Sequence, residues 1–369
     1  MSVTINQINF YGSASMPEAD SATVGGALDL TKKVAFYDIP SAMAFDVVSS
    51  SASDTAVKVQ ITGRDSTGTI QTPASVTVTG TTLIASSFGG QSFERLLAGV
   101  ITGGAIGSLS NPGGTTAVGD IGVLGHTRVI SGHTAQAGSA NTSGVTPPLF
   151  KLQSGDGATI GALTYAGLGL IIRITGGTGI NQMRQIAAPY ASGAYGAEFV
   201  AVSRDWTTPP DATSTYDIAN GFLFDLLPNP ILAITRLFST ATADVAGGSS
   251  RLFYEKVFAL NTNSTTALTG AAIEVLSETP SLPGSVLLDL GLTTGLNDTA
   301  TVTNRQTAPS NPAAFTSQPS PINIPASPGS LPNGNAAADA QACWLRLTVP
   351  AGSATYKGAV NLQVTGSTV

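Results

Sequence analysis

Wherever a period can be read along this chain, apolar residues alternate with polar ones. In "AVKVQITGR" (Ala56 to Arg64), Val57, Val59 and Ile61 fall on one side, with polar or long side chains between them. A period of two places successive side chains on opposite faces of an extended chain, so the segment predicts a half-buried strand. The same pattern recurs in "SVTVTG" (Ser75 to Gly80), "WLRLTVP" (Trp344 to Pro350) and "AVNLQVTG" (Ala359 to Gly366), each closed by a strand-ending Gly or Pro. Helical spacing is confined to short pieces near Ser92 to Ala98 and Phe222 to Leu227. The chain is therefore expected to be all-β, with two or three β-sandwich or barrel-like domains.

Two segments interrupt the alternation. Residues 104–149 are rich in Gly, Ser and Thr and predict a connector or arm, although "IGVLGHTRVI" within them has the make-up of one or two strands. Residues 296–341 carry repeated prolines, which forbid a central strand and favour extended chain. These breaks divide the chain into a β-sandwich domain over 1–103, the connector, a small β domain over 150–230, and a last domain over 231–369 with the Pro-rich stretch as an insertion. That insertion is expected to be an arm without a core of its own, extended across a neighbouring subunit, with Pro319, Pro321 and Pro325 as interface candidates.

Composition narrows the function. Only 10% of the 369 residues are charged, against roughly 25% in an ordinary soluble domain, so the surface must be unusually neutral. A net charge of -6 without a Lys/Arg cluster argues against nucleic-acid binding. The mean hydropathy of +0.22 is high, yet no apolar run approaches the roughly 20 residues of a membrane helix, and no membrane partner is expected. The opening "MSVTINQINFYGSASMPEAD" lacks the basic and apolar regions of a secretory signal, which predicts synthesis in a cytoplasm. A single cysteine, Cys343, excludes an intrachain disulfide and reads as a small buried hydrophobe at a strand start.

The strongest candidate for chemistry is "SRDWTTPPDATSTYDI" (Ser203 to Ile218), where Asp205, Asp211 and Asp217 recur six residues apart. Paired carboxylates serve glycoside hydrolysis when held about 5 to 9 Å apart. Beside Pro209 and Pro210, however, Asp211 is better read as a turn residue bonded to its own backbone, and Trp206 as a core plug, like Trp344. His126 and His133, seven apart, fall on opposite faces of a regular strand and lack metal-ligand or triad company in sequence, so both are read as exposed or interface residues. "ITGGTGINQMRQI" lacks the Gly-Lys-Ser/Thr ending of a phosphate loop, and a hairpin turn accounts for its glycines. Asn263 opens an N-S-T triplet, which is a glycosylation acceptor only in a secreted eukaryotic protein. No catalytic, cofactor-binding or metal-binding residue is assigned, and no enzymatic activity is expected.

The segment Val47 to Leu97, with "SSASDT", "VQITGRDSTG", "VTVTGTT" and "FERL", resembles a β-sandwich cassette of tailed-bacteriophage virion proteins. Gly177 to Ile218, with "GINQMRQI" and "VSRDWTTPPDATSTYDI", is similar to a second such cassette, in which the Asp and Pro residues punctuate hairpins and Trp206 lies between sheets. "RLFYEKVFALNTNS" and "CWLRLTVPAGSATYKGAVNLQVTG" resemble immunoglobulin-like phage domains. The resemblance implies a structural virion protein, foremost a capsid decoration or cement protein on the outer head surface. Its partners would then be the major capsid protein and copies of itself, as dimers or trimers. A tail, head-fibre or adaptor protein, able to bind a host surface glycan, is the alternative, and a carbohydrate-active enzyme is the reading from a different class.

Overall fold

The computed structural model describes residues 7–17, 19–34, 39–103, 105–106, 116–117, 119–136, 148–163, 169–189, 198–225, 231–238, 241–244, 248–279, 287–312, 314–325, 329–334, 337–353 and 359–368. It is all-β, as the alternation predicts, with 52% strand and 3% helix. The longer strands are β1 (Ile8–Ser15), β2 (Val24–Val34), β3 (Phe45–Ser49), β4 (Lys58–Arg64), β5 (Arg95–Gly103), β6 (Ile121–Thr134), β7 (Leu149–Lys151), β8 (Ile171–Gly176), β9 (Met183–Pro189), β10 (Phe199–Val202), β11 (Thr215–Phe224), β12 (Arg251–Asn261), β13 (Thr269–Thr279), β14 (Leu287–Leu296), β15 (Gln341–Val349) and β16 (Ala359–Ser367). Of the two stretches with helical spacing, Arg95–Ala98 is strand in β5 and Phe222–Phe224 is strand in β11, with apolar residues buried in sheets; 226–227 lie outside the described residues. The one α-helix among the described residues is the short α1 (Asp156–Gly161).

The chain forms two compact units, one from 1–34 with 235–369 and the other from 35–234. This departs from the three domains expected along the sequence, and strand pairing gives the reason. β1 runs antiparallel to β12, with Phe10 opposite Ala259 and Gly12 opposite Val257, so the first strands complete the sheet of the last part of the chain.

In the discontinuous unit one sheet runs Thr316–Ser317, β14, β15, β12, β1, β2, with Thr301–Val302 added to β2. A smaller sheet runs Ile322–Asn323, β13, β16. The two pack face to face around Val257, Ala259, Ile273, Val275, Leu290 and Leu345, with Cys343 buried among them. Burial pushes the Cys343 thiol up to about 12, as expected for a sulfur used as a hydrophobe.

The larger sheet is covered on its other face too, where Val24, Tyr254, Val302 and Trp344 pack together. Gly25 has φ +101, and a Cβ there would meet Ala300 O at 2.8 Å and Trp344 Cη2 at 3.0 Å, so only glycine lets this strand pass the indole.

The Pro-rich insertion is no arm. Its residues supply the three short strands Thr301–Val302, Thr316–Ser317 and Ile322–Asn323, and its Ile324 and Leu331 are core residues. Proline flanks Thr316–Ser317 (Pro312, Pro319) and Ile322–Asn323 (Pro321, Pro325), which both end a sheet, where a missing N–H costs no ladder bond.

The continuous unit holds a seven-stranded sheet in the order β7, β10, β9, β8, β11, β6, β3. β4 pairs β5 antiparallel outside that sheet, and Val57, Val59 and Ile61 are buried as the alternation predicts. The expected connector lies partly outside the described residues, but its middle is β6, an internal strand between β11 and β3. Ile121, Val123, Leu124 and Ile130 bury it, and glycine gives it room: a Cβ at Gly125 would meet Met43 Sδ at 2.5 Å. β8 and β9 form the hairpin predicted around "GGTGINQ", with Gly177 and Gly179 at positive φ.

Candidate functional site

The stretch from Ser203 to Ile218 leaves β10 and enters β11, and its three aspartates engage three separate sets of partners. Asp211 Oδ1 accepts the Thr213 N–H (2.8 Å) and hydroxyl (2.6 Å), which closes the turn after Pro210. The Thr213 hydroxyl, then its backbone N–H, hold the Asp211 carboxyl below the usual carboxylate range. Asp217 accepts the Gly132 N–H at 2.8 Å and lies 3.7 Å from Arg128 Nε. Asp205 contributes its backbone carbonyl, which takes Arg184 Nε at 3.0 Å and Nη2 at 2.7 Å. Asp211→Asn is expected to leave stability unchanged, because an amide oxygen accepts the same two bonds, whereas Asp211→Val should lower the melting temperature measurably. Loss of function in the Asn variant at unchanged melting temperature would restore a role for the charge.

Trp206 is buried in the core of the sheet, 5.6 Å from the Phe150 ring centroid, as expected of a plug. Its other neighbour is Arg184, which is only 1% exposed and lies 5.1 Å over the indole. Arg184 Nη1 donates to Asp120 Oδ2 at 3.2 Å; Arg204 also pairs with Asp120 and reaches Asp225 at 2.9 Å. Burial, then the neighbouring Arg204, bring Arg184 down to about 10, against the pull of Asp120 and Asp225. A buried guanidinium is tolerated only when its donors are matched, and this network ties the start of β6, β9, the Trp206 loop and the end of β11 together.

Both histidines lie on β6, and each Nδ1 meets a buried carboxylate. His126 is 2.8 Å from Asp46 Oδ1, while Arg128 Nη2 donates to Asp46 Oδ2 at 2.8 Å and the Ser86 N–H to Oδ1 at 2.8 Å. His133 is 2.9 Å from both oxygens of Asp156, which also accepts the Tyr216 hydroxyl. Tyr216 in turn accepts the Gln153 N–H at 2.8 Å, and burial, reinforced by the bond to Asp156, pushes its phenol well above the usual range.

The sequence reading of these histidines as exposed holds only in part: their side chains are 51% and 39% exposed, yet both are anchored. Their Asp partners lie 80 and 23 residues away, so no local motif announces them. Parity along β6 does not settle their faces either, because its register with β11 shifts between Leu124 and Arg128 and again before His133. The anchoring fixes each ring and leaves Nε2 as its second polar atom. Among the described residues, no group of three or more His, Cys, Asp or Glu is placed to hold a metal ion.

In the discontinuous unit one buried cation is Lys256, which sequence reasoning passed over. Its ammonium donates to Gly26 O (3.1 Å), Ala300 O (3.1 Å), and Asp298 O and Oδ1 (both 2.6 Å). It also lies 5.2 Å from the Phe258 ring and 5.6 Å from that of Trp344. Burial lowers its pKa, against the bond and charge of Asp298. Trp344 is thus a buried plug, as expected, on the face of the sheet away from Cys343.

Pro319, Pro321 and Pro325, the interface candidates, are all exposed, at alternate positions along the segment around Ile322–Asn323. Asn263 of the N-S-T triplet is buried, and its Oδ1 caps a turn by accepting the Thr265 and Thr266 N–H groups, each at 2.8 Å. No family model, curated protein or solved structure matches the chain.

Proposed function

We propose that this chain is a structural protein of a tailed-phage virion, a decoration or cement protein that binds the outer head surface and bridges capsomers, with the major capsid protein and further copies of itself as partners. The observation that carries the reading is where its few charges go. Of 16 Lys and Arg, at least six (Lys32, Arg128, Arg184, Arg204, Lys256 and Arg305) have side chains no more than 19% exposed and pair with carboxylates. Charge that ordinarily keeps a surface wet is here spent on fastening strands, which leaves a neutral Gly/Ser/Thr exterior suited to close packing in a lattice. The resemblance of Val47 to Leu97 and Gly177 to Ile218 to virion cassettes supports the same class. Two of the three aspartates support it as well, since Asp211 and Asp217 serve as turn and strand fasteners.

The test is the copy number of this chain relative to the major capsid protein in purified particles. Hundreds of copies, with loss of heat resistance in particles lacking it, are the expected result. About a dozen copies or fewer would move the protein to the tail, and its absence from particles would end the virion reading.

A further inference from the structure

The two edges of the smaller sheet are built in opposite ways. One is the two-residue strand Ile322–Asn323, enclosed by Pro321 and Pro325 with Pro319 just before, so few free N–H groups face outward. The other is β16, nine residues long, and among the described residues its outer edge has no strand partner. Its sequence, "AVNLQVTGS", contains no Lys, Arg, Asp, Glu or Pro, the residues that usually blunt an edge. Among the described residues, the strands that end the other sheets are five residues or shorter: Phe45–Ser49, Leu149–Lys151, Ile70–Gln71 and Thr316–Ser317, with the two-stranded Ala105–Ile106 and Thr116–Ala117 pair. Among the described residues, β16 is therefore the longest strand that ends a sheet, and it lacks those protections.

Its inner face is also incompletely covered. Leu362 stands opposite Val275 and Val364 opposite Ile273, and both partners on β13 are fully buried. Leu362, Val364 and Val360 pack against the same core but stay only partly buried, as does Phe10 of β1. The apolar layer thus runs out to the open edge of the sandwich without being closed there.

We infer that β16 is a dimerisation strand that pairs antiparallel with β16 of a second copy of this chain. A two-fold axis at Gln363 sets Leu362 opposite Val364 of the partner subunit and Asn361 opposite Thr365 of the partner subunit. This operation keeps both inner faces on the same side, so the two apolar stripes join into one layer and the two sheets of three strands become one of six. Absence of charge favours the strand's own copy as occupant, because self-pairing brings two copies of the same strand together and a strand carrying net charge would repel its copy. The inference is independent of the virion assignment, and a monomeric chain found in particles would separate the two.

The experiment is sedimentation velocity on the purified full chain from about 1 to about 100 µM, with Gln363→Lys and Gln363→Glu alongside. The wild type is expected to dimerise. Each variant is expected to bind its own copy about tenfold more weakly or worse, because like charges meet on the axis. An equal mixture of the two should recover the dimer. Hydrogen exchange on the wild type gives a second measurement that needs no variant: amides of β16 should become more protected as concentration rises. A wild type that stays monomeric with concentration-independent exchange would overturn the inference and leave the edge to a different partner. So would Lys and Glu variants that dimerise as tightly as wild type, since the contact would then lie elsewhere.

Discussion

Replacing Ser310 to Pro332 by a short Gly-Ser linker is expected to unfold the unit made by 1–34 and 235–369, as seen by loss of its cooperative transition in urea. The segment contributes Ile324 and Leu331 to the core, and half-buried Phe315 lies 5.6 Å from the Tyr254 ring and 4.9 Å over Arg346. It also joins the two sheets: Thr316–Ser317 pairs β14, while the Gln318 side chain accepts the Val275 N–H of β13 at 2.8 Å. Leu331 exchanges backbone bonds with Leu268 at 2.9 and 3.0 Å, and Ile324 donates to Ala271 O at 2.8 Å. Removing a buried Leu or Ile costs about 2 to 5 kcal/mol each. Two such losses, with the severed backbone bonds, are comparable to the whole stability of a domain, about 5 to 15 kcal/mol. A shortened protein with an unchanged urea midpoint and slope would show that the insertion is an arm after all.

That expectation reverses what the sequence suggests, and the reason is physical. Proline density marks where a central strand cannot be, but it does not tell an arm from edge strands stitched onto a core. The distinguishing residues are single apolar ones, Ile324 and Leu331, too far apart to show a period. Alternation was a reliable guide where one face of a strand meets water, as in β4, where Val59 and Ile61, with Val57 just before it, are buried beside exposed Lys58. It was weaker for β6, expected only as one or two strands within a connector, because Ile121–Gly125 is buried without alternation and its glycines give room to neighbouring side chains.

The domain boundaries failed for a related reason. Nothing local in Ile8–Ser15 points to a partner strand some 250 residues away, and only the register of β1 on β12 shows it. Trp206, Asp211, Trp344 and Cys343 were legible because each role depends mostly on the residue's own chemistry. The buried cations were not, since Lys256 and Arg184 acquire their roles from residues brought in from other strands and loops.

Lys256→Met is expected to cost about 3 to 5 kcal/mol in urea unfolding, although methionine matches the lysine stem in length and adds no bulk. The loss comes from the other side of the contact. Without the ammonium, Gly26 O, Asp298 O and Asp298 Oδ1 lose a donor; Ala300 O keeps the Gly26 N–H at 3.0 Å, and the charged Asp298 carboxylate keeps only the Ala300 N–H on Oδ1 at 3.0 Å and Asn311 Nδ2 at 3.3 Å. Each buried acceptor left without a donor costs about 1 to 3 kcal/mol. These carbonyls belong to β2 and to the loop that leads into Thr301–Val302, so the strain should loosen the edge of the sheet that Trp344 supports. A second substitution separates charge from hydrogen bonding. If the Asp298 carboxylate carries most of the penalty, adding Asp298→Asn to Lys256→Met should recover stability. If the backbone carbonyls carry it, the double variant should be no more stable than the single one. A cost below about 1 kcal/mol for Lys256→Met alone would mean that water replaces the ammonium, and that the Lys256 cluster does not hold the sheet together.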